Sequence, residues 1–208
     1  MKISYTILTH NETDSLSKLL EFVFEHKKED DEIVVVDDYS KKPTREILYL
    51  YSERDDFRYY QRKLKKDFAA QHNYANSLCR GDYIFSFDAD EVPHEFLIDN
   101  VHELLENEVE LIWVPRVNTV EGLTEKHIQQ WGWRVNDKGW INYPDYQARI
   151  YKHVSHIKWI RPVHEYVTGP KSYAHLPPQE EFSIYHPKVI DKQESQNELY
   201  TEIAEKNR

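Results

Sequence analysis

The stretch "EIVVVDD", Glu32 to Asp38, decides the fold. Val34, Val35 and Val36 are consecutive and β-branched, and branching at Cβ favours extended backbone. A strand with one wet face would alternate apolar and polar residues. This one is apolar on both faces, which suits a parallel strand covered by helices on either side. It then ends abruptly in two carboxylates, Asp37 and Asp38.

Working outward, the same rhythm repeats. "ISYTIL" (Ile3 to Leu8) reads as a strand, and Leu16, Leu19, Leu20 and Val23 recur at helical spacing behind it. Thr13 or Asp14 is expected to cap that helix. "TREILYLYSER" reads as a helix after Pro43, "FRYYQRK" as a short strand, and "DFAAQHNYANSLCR" as a helix stopped at Gly81, with Cys79 packed inside it. "YIFSFDADEVP" (Tyr83 to Pro93) is a buried strand emptying into Asp88, Asp90 and Glu91, followed by a helix from Pro93 to Asn107 in which Glu91 is a candidate cap. "VELIWVPRV" closes this half as one more strand.

Strands alternating with helices imply an open, mostly parallel α/β sheet, in which ligands bind outside the carboxyl ends of the strands. Thr9 to Glu12, Asp37 to Ser40 and Asp88 to Glu91 therefore fall on one rim. Beyond Asn118 the sequence changes character. "VEGLTEKHIQQWGWRVNDKGWINYPDY" has no sustained period and reads as a long loop. "QARIYKH", "IKWIRPVHEYV" and "EEFSIYHP" read as short strands, a small antiparallel and loop portion. The C-terminus reads as a polar helix with Leu199, Ile203 and Val189 as its apolar stripe, packed on its own domain or on a second subunit of a homo-oligomer.

Composition narrows the function. A formal net charge of -10 argues against broad nucleic-acid binding, although "RKLKK" (Arg62 to Lys66) is a local basic run. The single cysteine excludes a cysteine-rich zinc site. No window approaches the roughly 20 apolar residues of a membrane span, so a soluble, cytoplasmic protein is expected. There are only five glycines and no phosphate-cradling glycine loop, so a metal has to neutralise any bound diphosphate. Asp88 and Asp90, two apart on extended chain, point the same way and offer hard oxygens to Mg²⁺ or Mn²⁺. A strand merely leaving the core would show the same pair. Asp37 and Asp38 offer acceptors for a base imide or a ribose hydroxyl. Trp131, Trp133, Trp140 and Tyr143 could form a sugar platform or a small core under the loop, and Arg149 could meet a phosphate or an acid.

Taken together, "ISYTILTHNETDSL", "EIVVVDDYS", "DFAAQHNYANSLCRGDYIFSFDADE" and the later "YPDYQARIYK", "VHE" and "YHPK" resemble the family 2 glycosyltransferases of GT-A fold, in order and through most of the chain. The resemblance implies one GT-A domain over residues 1–208, with a nucleotide-sugar half at 1–118 and an acceptor half with the C-terminal helix at 119–208. It implies inverting transfer from a nucleotide-sugar, a UDP-sugar by preference, to a glycan, lipid-linked or protein acceptor. Thr9, Asn11, Glu12, Asp37, Asp38, Gln71, Asn73, Asp88 and Lys188 would meet the donor. Asp90, Asp88 and His186 would hold Mn²⁺ or Mg²⁺, with His164 a competing ligand. The general base would be Glu165, which is favoured, or Asp145. A sugar nucleotidyltransferase, a non-catalytic nucleotide-sugar-binding module and a metal-dependent hydrolase are the alternatives. "THNETDSL" lacks the glycine-rich basic loop of the first, and "VHE" is not the H-E-x-x-H of zinc peptidases.

Overall fold

The computed structural model describes residues 1–206. Its first half runs β1 (Ile3–Thr9), α1 (Thr13–His26), β2 (Glu32–Asp37), α2 (Lys42–Tyr51), β3 (Phe57–Gln61), α3 (Phe68–Leu78) and β4 (Tyr83–Asp88). These four strands lie side by side and parallel in the order β3-β2-β1-β4. Every residue of β2 is buried, as its two-faced apolar run requires. Leu16, Leu19, Leu20 and Val23 of α1 are fully buried against the same core as Tyr5, Phe85 and Phe87. Each such side chain contributes roughly 1.5–3 kcal/mol of burial.

The chain continues as β5 (Val92–Pro93), α4 (Glu95–Leu104), β6 (Leu111–Val114), β7 (Arg116–Glu121), α5 (Glu125–Trp131), β8 (Gln147–Lys152), β9 (Lys158–Ile160), β10 (Tyr166–Thr168), β11 (Tyr173–His175), β12 (Ile184–Val189) and α6 (Ile190–Lys206). The central sheet has the order β11-β6-β8-β4-β1-β2-β3. Only β8 runs against its neighbours, β4 and β6. The second half is therefore threaded into the first: β8 and β11 belong to the main sheet. A small sheet, β5-β12-β7, and the antiparallel hairpin β9-β10 stand beside it.

Several expectations are corrected. "VELIWVPRV" is two strands in two different sheets, because Pro115 has no amide hydrogen to extend a ladder and the chain bends there. Pro93 does not open the next helix. It pairs in β5 with Ile184, and α4 starts at Glu95, where the His94 ring accepts from the Phe96 amide (3.1 Å). Neither Thr13 nor Asp14 caps α1, since Glu12 holds the capping position and the Thr13 hydroxyl bonds that of Thr44 (2.8 Å). Cys79 lies just past α3 and donates to the Ala75 carbonyl, and burial pushes its thiol up to about 12, consistent with packing. The long loop contains α5, secured by a Thr124–His127 capping box. In α6, Ile203 is buried against this same chain, but Val189 ends β12 and is exposed.

Candidate active site

Thr9, Asp37 and Asp88 are the last residues of β1, β2 and β4, and the registers Thr9–Asp37 and Leu8–Asp88 put them on one rim. A cavity of about 390 Å³ opens there. Its walls include Thr9, Glu12, Asp38, Gln71, Asp88, Asp90, Asp145, Glu165, His186 and Lys188. Three expected donor contacts lie off it. Asp37 is fully buried and spends its carboxylate on the Ser40 amide (3.0 Å) and the Gln61 side chain (3.0 Å). Asn11 adopts positive φ and its amide oxygen accepts from the Lys41 amide (2.7 Å), so it shapes the turn. Asn73 bonds both the amide and the carbonyl of Trp159 (3.0 and 2.7 Å), pinning β9 to α3. His164, also off the cavity wall, sets its ring edge-on against Tyr200 at 5.7 Å.

Beneath the rim lies a buried ionic network. Glu91 is fully buried rather than a helix cap. Its Oε1 accepts from Arg149 Nη2 (2.5 Å) and Arg116 Nη1 (3.0 Å), and its Oε2 from the Asp88 amide (3.1 Å). Arg149 also donates to Asp88 Oδ2 (2.8 Å), so it meets an acid. Burial and, less strongly, the Asp90 carboxylate oppose the charge on Asp88, yet Arg149 above all holds the carboxyl below its usual range. With both guanidiniums committed, the like charges that end β4 are tolerated.

Above this network His186 Nε2 stands 3.5 Å from Asp90 Oδ2, while its Nδ1 donates to Asn118 Oδ1 (2.8 Å). That second bond orients the ring with Nε2 toward the carboxylate, as the second nitrogen of a metal-ligating histidine is commonly anchored to an oxygen. Burial works against the charge on Asp90, but His186, Lys192 and Lys188 more than offset it and keep the group well below its usual value. The carboxylates of Asp88 and Asp90 with this imidazole make a donor set that suits a divalent cation. Their atoms are spread more widely than those of His26, Glu95 and Asp99, a trio outside the cavity, partly buried at His26, whose ligand atoms all lie within 4.8 Å.

The two acids expected to move a proton differ in setting. Asp145 Oδ2 accepts from Arg116 Nε (3.0 Å), Arg116 Nη2 (2.8 Å) and Asn118 Nδ2 (2.6 Å). Burial raises its pKa, but Arg116 and Asn118 bring it down overall. Glu165 is placed by the turn between β9 and β10 and has no such partners. Burial, with a smaller push from Asp88, raises it to about 7. The nearby His72 ring, 3.8 Å away, is fully buried and lowered to about 4 by desolvation, so it is neutral at pH 7.

Sequence reasoning missed Arg116, Asn118, Lys192, Gln196 and Tyr200, all on the cavity wall. Arg116 and Asn118 alternate along β7, beside His186 and Lys188 of β12, and this period of two was legible. Lys192, Gln196 and Tyr200 recur every fourth residue along α6, a polar stripe overlooked in the search for an apolar one. Of the four aromatics proposed as a platform, only Trp133 reaches the cavity. Trp131 packs on it at 4.6 Å, while Trp140 and Tyr143 pack on each other at 4.8 Å.

A mostly parallel α/β sheet with an acidic rim and an antiparallel strand inserted at β8 is a GT-A fold. The chain belongs to glycosyl transferase family 2, whose family model matches residues 4–163. Among curated proteins it is similar to the poly-β-1,6-N-acetyl-D-glucosamine synthase of Staphylococcus aureus (strain MSSA476), 28% identical over 111 residues. That match covers 50% of this chain and 25% of the synthase, so the chain spans about a quarter of that relative's length. Among solved structures, S. aureus TarS 1–349 superposes with a TM-score of 0.62 at 14% identity, over 98% of this chain and 64% of that one. The same protein in complex with UDP-GlcNAc gives 0.62 at 15% identity, over 90% and 59%. Among the described residues no helix is long and apolar enough to cross a membrane.

Proposed function

We propose that the chain is a metal-dependent, inverting glycosyltransferase domain that uses a UDP-sugar in the cytoplasm. The observation that carries this reading is the presence of Asp88, Asp90 and His186 on the wall of one cavity that also holds Glu165, whose carboxyl has no cationic partner. UDP-N-acetylglucosamine is the donor to try first, because TarS is solved with it and the synthase is named for the same sugar. The acceptor is a glycan, a lipid-linked sugar or a protein side chain.

Asp90, Asp88 and His186 would hold the cation, and the imidazole favours Mn²⁺ over Mg²⁺, which prefers oxygen alone. When bound, such an ion stabilises the charge that develops on a departing nucleoside diphosphate. The remaining steps fall to the protein. Thr9 and Asp38 border the nucleotide, the Asp38 carboxylate being oriented by the Leu64 amide (3.0 Å). Lys188, a second positive charge on the same wall, faces the phosphates. Glu165 takes the acceptor proton. A base works best with a pKa near the working pH, and Glu165 meets that condition while Asp145, saturated by Arg116 and Asn118, does not. Asp145 then positions Arg116 and the acceptor side of the cavity.

The reading is tested by incubating the protein with a panel of nucleotide-sugars and Mn²⁺ and measuring nucleoside diphosphate release. Release from UDP-N-acetylglucosamine that EDTA abolishes and that Glu165→Gln reduces about a hundredfold or more supports it. Pyrophosphate formed from a sugar phosphate and a nucleoside triphosphate would sink it.

A further inference from the structure

Lys192 lies in the first turn of α6. Its ammonium stands 2.6 Å from Glu12 Oε1, at the mouth of α1, and 3.0 Å from Asp90 Oδ2. The Asp90 oxygen it meets is the one that His186 Nε2 faces at 3.5 Å. The helix carrying Lys192 runs along the cavity, contributing Gln193, Gln196 and Tyr200 to its wall. Further along, Tyr200 packs edge-on against Phe68 at 5.9 Å, and Glu202 pairs with Lys66 at 2.5 Å. The helix is thus fastened at both ends of the cavity, and the near fastening uses a proposed metal ligand.

We propose that Lys192 is the chain's own counter-ion for Asp90 and competes with the divalent cation, so that α6 is strapped over the cavity until the metal takes that oxygen. This inference rests on the reading that Asp90 and His186 hold the ion. A divalent cation bound to the carboxylate lies about 2 Å from its oxygen. An ammonium 3.0 Å from the same oxygen would then stand about 4–5 Å from the ion, and like charges that close in a partly buried site repel. The two cations therefore compete for Asp90 Oδ2. When displaced, the ammonium keeps Glu12 as a partner, and the first turn of α6 loses its tie to the turn after β4.

The test is Mn²⁺ binding, followed by the electron paramagnetic resonance signal of the free ion, with no nucleotide present. Lys192→Met should bind Mn²⁺ about fivefold tighter or better than wild type, the size expected when a competing charge is removed. Lys192→Gln should do the same, and Lys192→Arg should bind like wild type. Adding Asp90→Asn should remove the gain. Hydrogen exchange gives a second readout: Mn²⁺ should speed exchange over residues 190–200 in wild type and leave Lys192→Met, already fast there, unchanged. Unchanged or weaker binding by both neutral variants overturns the inference alone, as does a gain that survives Asp90→Asn. Failure of both wild type and Lys192→Met to bind Mn²⁺, even with UDP present, overturns the metal reading and this inference with it.

Discussion

Glu165 is an acid that the fold keeps from ionising until about pH 7, against 4.5 for the free group, because the walls around it desolvate the charge. In the unfolded chain it loses its proton first. Between those two pH values the folded state binds more protons, so this group's contribution to stability falls as pH rises and is fully lost above 7. The loss is at most about 3 kcal/mol. Glu165→Gln should therefore raise the urea midpoint at pH 8 and leave it unchanged at pH 4, while turnover collapses. In the wild type, turnover should climb with pH and level off above about 7; a flat profile from pH 5 to 9 would remove Glu165 as the base. Glu91 presents the opposite case. It is paired on both sides, so Glu91→Ala leaves two buried guanidiniums short of a partner and should cost about 3–5 kcal/mol in chemical denaturation. The chain announced these two carboxylates unequally. Glu165 stood out in "VHE" as a candidate base, but Glu91 looked like a cap because its partners, Arg116 and Arg149, lie 25 and 58 residues away.

The element that matters most to the proposed chemistry is the hairpin β9-β10, which carries Glu165 in its turn. Hydrogen bonds tie it to α3. Asn73 clamps the Trp159 backbone, and the Pro162 carbonyl accepts from the Phe68 amide (2.9 Å). Asn73→Ala should consequently lower kcat with little change in donor KM, which steady-state kinetics on UDP release would show; a rise in KM alone would restore Asn73 to the donor site. Gly169 follows the hairpin at φ +95°, where a Cβ would lie 1.9 Å from the His156 carbonyl oxygen. Gly169→Ala should lower Tm by several degrees, readable by calorimetry, because both the backbone conformation and the close approach exclude a side chain. Strands such as "EIVVVD" and the α1 stripe were legible because burial imposes a simple period on them. Short strands of three residues, such as β9 and β11, are too brief to show one. The split at Pro115 turned on a single residue within "VELIWVPRV", a stretch that otherwise reads as one strand.

At the scale of the whole molecule, the expected halves are not stacked one behind the other. β8 slots between β4 and β6, which brings Arg149 under the rim, and β12 runs beside β7, which brings His186 opposite Asn118. The parallel sheet, the acidic rim and part of the cavity wall were legible in local sequence. Of the basic groups Arg149 and Lys188 were named, but Arg116 and Lys192 were not, because they come from separate elements and only the tertiary fold unites them with the acids. That assembly makes the central claim a physical one: carboxylates gathered on the rim bind a nucleoside diphosphate through a metal. Calorimetric titration of UDP into the protein tests it most directly. The account predicts binding with Mn²⁺ that is lost in EDTA and lost again in Asp90→Asn. UDP binding of equal strength with and without the metal, or undiminished in Asp90→Asn, would contradict it.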